Sequence, residues 1–234
     1  MSELFPAKTI GLIYASCDGG ANEYAFNHWY NSSYVSGLLS FTGIDNVYRY
    51  ANASAKFREG QSRYLTILRL HSHDPWDLVL EATRRAGTGP MAENLSTDWI
   101  TVWEFLAYRR TVSPPLRPET HLPDGMPEAM LVVPTVCTDP DREEEFRHWY
   151  LHTHFHDLLE TPGVVQAHRY KSLNPKPEPG ESNYLALYEI DADDPNAVTR
   201  RILQDDRDVR IPQGRMIDCI QAPNGLGTYQ HIDI

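Results

Sequence analysis

His28-Trp29-Tyr30 returns as His148-Trp149-Tyr150, a shift of 120 residues (148 − 28), and the match spreads in both directions without a gap. Cys17 falls on Cys137, Glu23 on Glu143, Phe26 on Phe146, Leu38-Leu39 on Leu158-Leu159 and Gly43 on Gly163. Arg49-Tyr50 then falls on Arg169-Tyr170, Gly60 on Gly180, Ser62 on Ser182, Tyr64-Leu65 on Tyr184-Leu185 and Asp74-Pro75 on Asp194-Pro195. Chance does not hold register from Cys17 to Pro75, so the sequence reads as an internal duplication.

Each copy carries the same order of patterns. A strand-sized apolar run opens it (Ile10–Ser16; Ala129–Val136), and a helix follows. In the second copy Asp139 is the expected N-cap, with Pro140 at the first helical position. A strand starts after Gly43 and Gly163, and a polar loop leads to another (Tyr64–Leu70; Tyr184–Ile190). A helix opened by Asp-Pro comes next, and a last strand closes each unit (Trp99–Ala107; Arg215–Ala222). The tail Gly225–Ile234 is a candidate edge strand. The expected fold is α+β: two tandem ferredoxin-like β-α-β-β-α-β units whose antiparallel sheets pack into an intramolecular α/β barrel, helices outside. The first unit spans residues 1–108 and the second 128–234. Between them, 109–127 holds Pro114, Pro115, Pro118, Pro123 and Pro127, a density that blocks helix and removes backbone donors, as in a surface linker.

In the first helix of the second unit, Phe146, Trp149, Tyr150, Thr153, His154, Asp157 and Leu158 share one face. The first unit puts Phe26, Trp29, Tyr30, Ser33, Tyr34, Gly37 and Leu38 there. The two differ in the polar middle, where His154 and Asp157 replace Tyr34 and Gly37. Burying an imidazole and a carboxylate costs free energy unless both find partners or water. Three residues apart, they can meet, and a carboxylate beside an imidazole raises its pKa and fixes its tautomer, which suits a general base or acid near neutral pH. A satisfied core histidine is the plainer alternative.

The run Trp149-Tyr150-Leu-His-Thr-His154-Phe-His-Asp157-Leu-Leu-Glu-Thr-Pro-Gly163 resembles the helix-to-strand segment of the dimeric α/β-barrel superfamily, in particular its EthD-like branch and the small lactone isomerases. A bacterial chalcone isomerase of related duplicated architecture is similar in placing a histidine five residues after the tryptophan. The resemblance implies that His154 is the functional histidine and Asp157 its neighbouring carboxylate, with Trp149 and Tyr150 lining a pocket. The first unit departs from the pattern at Tyr34 and Gly37, so its pocket is altered or helps only in binding, with Tyr34 as a contact. On the following strand Gln166, His168 and Tyr170 share a face by alternation. His168 is either a second proton carrier or substrate anchor, or a plain sheet residue.

Function is thus expected to be that of a cofactor-independent enzyme, of lyase or isomerase type, acting on a small hydrophobic or aromatic molecule. A cofactor-free monooxygenase shares the same pocket logic. The alternatives are a haem enzyme of the chlorite dismutase-like or dye-decolourising peroxidase-like kind, with a second-unit histidine as ligand, and a non-catalytic binding module. His148, His152 and His156 form a helical stripe off the buried face and read as solvated rather than metal-binding. His121 and Asp124 stand in the proline-rich linker, and His71 and His73 precede a helix; none is given a role. No GxGxxG, Walker loop, GxSxG or HExxH is present.

Composition limits the partners. Against 21 Lys and Arg stand 32 Asp and Glu, a net charge of −11, which argues against nucleic acid or an anionic membrane surface. No signal peptide is expected from the N-terminal residues, and no apolar run is long enough to span a bilayer. Three scattered cysteines (Cys17, Cys137, Cys219) suit a reducing cytoplasm, and the equivalent pair Cys17 and Cys137 read as small core residues. A homodimer is compatible with the duplication but not required by it.

Overall fold

The computed structural model describes residues 7–17, 21–54, 62–86, 100–112, 127–178, 180–223 and 225–233. Most of the linker, with His121 and Asp124, lies outside them, as do Trp99 and Gly60. The fold is mixed α+β around a large antiparallel sheet. The first half runs β1 (Thr9–Cys17), α1 (Ala21–Trp29), a π turn (Tyr30–Tyr34), α2 (Val35–Leu39), β2 (Ile44–Asn52), β3 (Tyr64–Leu70), α3 (Pro75–Ala86) and β4 (Ile100–Val112). The second runs β5 (Ala129–Cys137), α4 (Glu143–Trp149), a π turn (Tyr150–His154), α5 (Phe155–Leu159), β6 (Val164–Ser172), β7 (Tyr184–Ile190) and α6 (Pro195–Asp205). A third π turn (Asp206–Arg210) and two strands, β8 (Ile220–Gln221) and β9 (Gly227–Ile232), complete it.

Strand order is β7-β6-β4-β1-β3-β2-β9-β5-β8, and β7 also pairs with β5. Successive residues of a strand therefore serve two cores. On β1, Ile13, Ala15 and Cys17 pack under the first-half helices, while Ile10, Leu12 and Tyr14 point to an inner layer shared with Met130, Val132 and Leu187. On β5, Ala129, Leu131 and Cys137 face the second-half helices. Burial on both faces explains why the opening strands are near-continuous apolar runs rather than alternating ones. Pro134 is tolerated inside β5 because the neighbouring strand is interrupted there: β9 pairs Ala129 to Val132 and β8 pairs Val136 and Cys137.

Contacts recur at the 120-residue shift. The Tyr50 hydroxyl donates to the Pro127 carbonyl and the Tyr170 hydroxyl to the Ala7 carbonyl, both at 3.2 Å. The His71 amide bonds the Gly43 carbonyl as the Asp191 amide bonds that of Gly163. Gly43 and Gly163 hold φ of 101° and 92° after their helices, and a Cβ on Gly163 would lie 2.7 Å from Val198 Cγ2. Gly163→Ala is therefore expected to cost roughly 1–3 kcal/mol, from left-handed strain plus displacement of α6, read as a fall in thermal midpoint. Asp139 does cap the short 3-10 turn that leads into α4, its side chain accepting from the Asp141 amide.

Two expectations change. Arg215–Ala222 is not the closing strand of the second half; only Ile220–Gln221 is extended there. Exposed residues 211–214 turn instead, with Gly214 at φ 67°. The place beside β5 is taken by the tail strand β9, which also pairs with β2 and so is not an edge. The last strand of the first half continues to Val112 because Tyr108 to Val112 pair with β6, so Arg109–Val112 belong to the sheet. No described helix is long and apolar enough to cross a membrane.

Candidate functional site

The π turn at Tyr150–His154 inserts one extra residue into the helix, which turns Phe155 and Leu159 inward beside Phe146, Tyr150, His154, Asp157 and Leu158. The straight-helix face read from the sequence misses those two for that reason. The same turn occurs at Tyr30–Tyr34, where Tyr34 is buried against Trp29 and Tyr30. Tyr34 belongs to the first-half core and is not brought to His154.

His154 lies in an aromatic box. Its ring stacks on Trp149 at 4.7 Å between centroids and is met edge-on by Tyr150 and Tyr188. It is 7% exposed, and its Nδ1 is buried without a hydrogen-bond partner. Burial, together with the guanidinium groups of Arg210 and Arg169, pushes its pKa down to about 3. The expected rise from a neighbouring carboxylate is thus overturned, because Asp157 turns to other partners. Asp157 Oδ1 accepts from Arg215 Nη2, and Oδ2 is buried and unpartnered. Arg210, itself held by Asp206, donates to the Asp157 carbonyl at 3.1 Å and to Thr161 Oγ1. Trp149 Nε1 donates to the Arg215 carbonyl at 2.7 Å, so the Trp149–Arg215–Asp157 set covers this end of the box.

His168 is 2% exposed but faces the other side of the sheet: Ala167 packs under the helices while Tyr170 joins the inner layer. It bonds Glu189 Oε1 at 2.7 Å. Burial lowers its pKa, offset by Glu189 and reinforced by Arg110. The sheet therefore separates His168 from His154. The stripe residues His148, His152 and His156 are exposed. Among the described residues no three His, Cys, Asp or Glu side chains converge on a metal position.

Sequence reasoning passed over Arg169, although the repeat had flagged it beside Arg49. Its guanidinium carbon lies 3.4 Å from the Tyr150 ring centroid and also faces Tyr184 and Phe146. It donates to Thr135 Oγ1 at 3.1 Å, while Nη2 has no partner. Burial lowers its pKa, offset by Tyr150, Tyr188 and Tyr184. Arg49 sits alike over Tyr30, Tyr64 and Phe26. The available signal was a charged residue at the helix-facing position of an otherwise apolar strand, occurring twice.

No family model matches the chain, and no curated protein matches it. Solved structures do. A mutant chlorite dismutase from Candidatus Nitrospira defluvii is 13% identical with a TM-score of 0.61, over 96% of this chain and 92% of that one. A dye-decolorizing peroxidase from Bacteroides thetaiotaomicron is 10% identical with a TM-score of 0.58, over 96% and 93%. An anthrone oxidase-like protein is 10% identical with a TM-score of 0.55, over 97% and 93%. These likenesses show a mixed α+β, ferredoxin-like fold with a large antiparallel sheet. At these identities the likeness concerns the fold. The neighbouring structures are mostly enzymes.

A haem does not fit at Nδ1 of His154 as the surrounding residues pack. Trp149 covers one face of the imidazole, Tyr150 and Tyr188 meet it edge-on, and Nδ1 is wholly buried. A macrocycle would have to displace one of those rings to approach that nitrogen.

Proposed function

We propose that the chain is a cofactor-independent enzyme of lyase or isomerase type, in which His154 moves a proton on a small hydrophobic or aromatic molecule. The reading takes the chain as a duplicated barrel, supported by the recurring contacts and the pairing of β7 back to β5, with the working site in the second copy. The observation that carries it is the buried, unpartnered Nδ1 of a neutral imidazole. A buried polar atom without a partner costs about 1–3 kcal/mol, a cost that a bound substrate can remove. Neutral His154 takes a proton from an acidic carbon or hydroxyl of the substrate. The imidazolium so formed is stabilised by the substrate anion beside it, and Arg169 and Arg210 favour that anion as they disfavour free imidazolium. Return of the proton to a second position completes an isomerisation, or to a leaving group an elimination. Trp149 and Arg215 act as the cover that must open for entry and then exclude water.

Lactones and hydroxylated aromatic ketones are the substrates to screen, with wild type and His154→Gln side by side. Turnover should fall by roughly 10²–10⁴ in the variant if His154 is the general base. Undiminished turnover in His154→Gln would sink this assignment. A Soret band with about one iron per chain in freshly purified protein would overturn the cofactor-free reading.

A further inference from the structure

The two copies treat their buried arginines differently. In the first copy the guanidinium of Arg49 is met from the helix by Asn31 Oδ1 and, at 2.9 Å, by Asn27 Oδ1. The residues 120 positions later are Leu151 and Arg147, neither of which offers a side-chain acceptor. Arg169 is consequently 4% exposed with Nη2 unpartnered. A cavity of about 250 Å³ opens at that place. Arg169, Tyr150, Phe155 and Tyr184 form its buried end, and Leu151 forms a wall. Thr111, Glu144, Arg147 and His148 form its exposed rim.

We propose that this cavity binds a small carboxylic acid with a single aromatic ring or a short branched chain, its carboxylate on Arg169. Three features select that chemistry. A guanidinium whose Nη2 lacks a partner can donate to a carboxylate oxygen, and beside aromatic rings that charge-assisted bond is little weakened by water. The rings and Leu151 suit an apolar body, and about 250 Å³ lies just below the range of drug-sized sites, which limits that body to one ring. At the rim Arg147 balances Glu144, so the charge of Arg169 is left over for the ligand. Glu143, the remaining nearby carboxylate, is engaged by Tyr184 and Lys171. The site shares the charge of Arg169 with the proton-transfer reading but not its space: Tyr150 separates it from His154, with Arg169 over the Tyr150 ring and His154 against the ring's edge.

The test is calorimetric titration of the whole chain with benzoate, with benzamide as the neutral isostere and inorganic phosphate as the non-planar anion. Benzoate should bind at least tenfold more tightly than benzamide or phosphate. Arg169→Met should weaken it at least tenfold. The double variant Arg147→Asn/Leu151→Asn keeps Arg169 but supplies the acceptors of the first copy, and should weaken benzoate as much. Far-UV circular dichroism and thermal melts establish that each variant is folded. Benzamide binding as tightly as benzoate, unchanged affinity in the double variant, or no benzoate binding to wild type would each overturn the proposal, and tighter phosphate binding would replace the carboxylate by a phosphate ligand.

Discussion

Between pH 7.5 and pH 5 the wild-type chain is expected to lose about 2 kcal/mol more stability than His154→Phe, as measured by urea unfolding at each pH. Burial and the cations Arg210 and Arg169 hold the folded imidazole down at about 3, against 6.5 for a solvated histidine. Below pH 6.5 the unfolded chain takes up a proton that the folded chain does not. The stability due to neutral His154 is therefore complete above pH 6.5 and drains away as pH falls toward 3, at about 1.4 kcal/mol per unit. Phenylalanine keeps a ring against Trp149, as Tyr34 does in the first half against Trp29, but cannot take up a proton in either state. His168 and the carboxylates titrate in both proteins, so their contribution cancels in the difference. Parallel stability curves would mean that folded His154 protonates as easily as a solvated one, and its role as a neutral base would fall with it.

The halves of this fold are legible because the match at 120 residues spans whole elements. β3 and β7 fall at Tyr64–Leu70 and Tyr184–Ile190, where both expected strands stand. The tail defeated that reading. Arg215–Ala222 is rich in apolar residues, but Gly214 and the exposed residues before it set a turn, and Gly227–Ile232 has the better pattern, with Tyr229 inward and Thr228 bonded to Thr199 on α6. In the site, a single extra residue in the π turn rotates everything after Tyr150, which periodicity at 3.6 residues cannot anticipate. Nor can spacing alone choose a partner for Asp157: Arg215 comes from 58 residues away and takes the carboxylate that sequence logic offered to His154. Arg169 was visible as a residue but not as a buried charge, since its role depends on what the helix above it lacks.

Replacing His168 by leucine should destabilise the chain by about 3–5 kcal/mol, replacing Glu189 by leucine by about 1–3, and replacing both by much less than the sum. The asymmetry follows from where the charge sits. His168 and Glu189 are 2% and 5% exposed, diagonal neighbours across the β6–β7 ladder, where Gln166 is opposite Glu189 and His168 opposite Leu187. Burial and Arg110 lower the histidine pKa, so at pH 7 the pair is a carboxylate held by a neutral N–H donor. Removing the donor strands an ion among Leu185, Leu187 and Tyr170, whereas removing the carboxylate strands only a neutral ring. The double leucine removes both members of the pair from the inner layer, so their desolvation penalties go together. Urea unfolding of the four proteins at pH 7.5 closes the cycle. If Glu189→Leu proved the costlier single change, His168 would be the buried ion. The pair would then be an imidazolium–carboxylate bridge, and the inner layer would hold a charge able to titrate with pH.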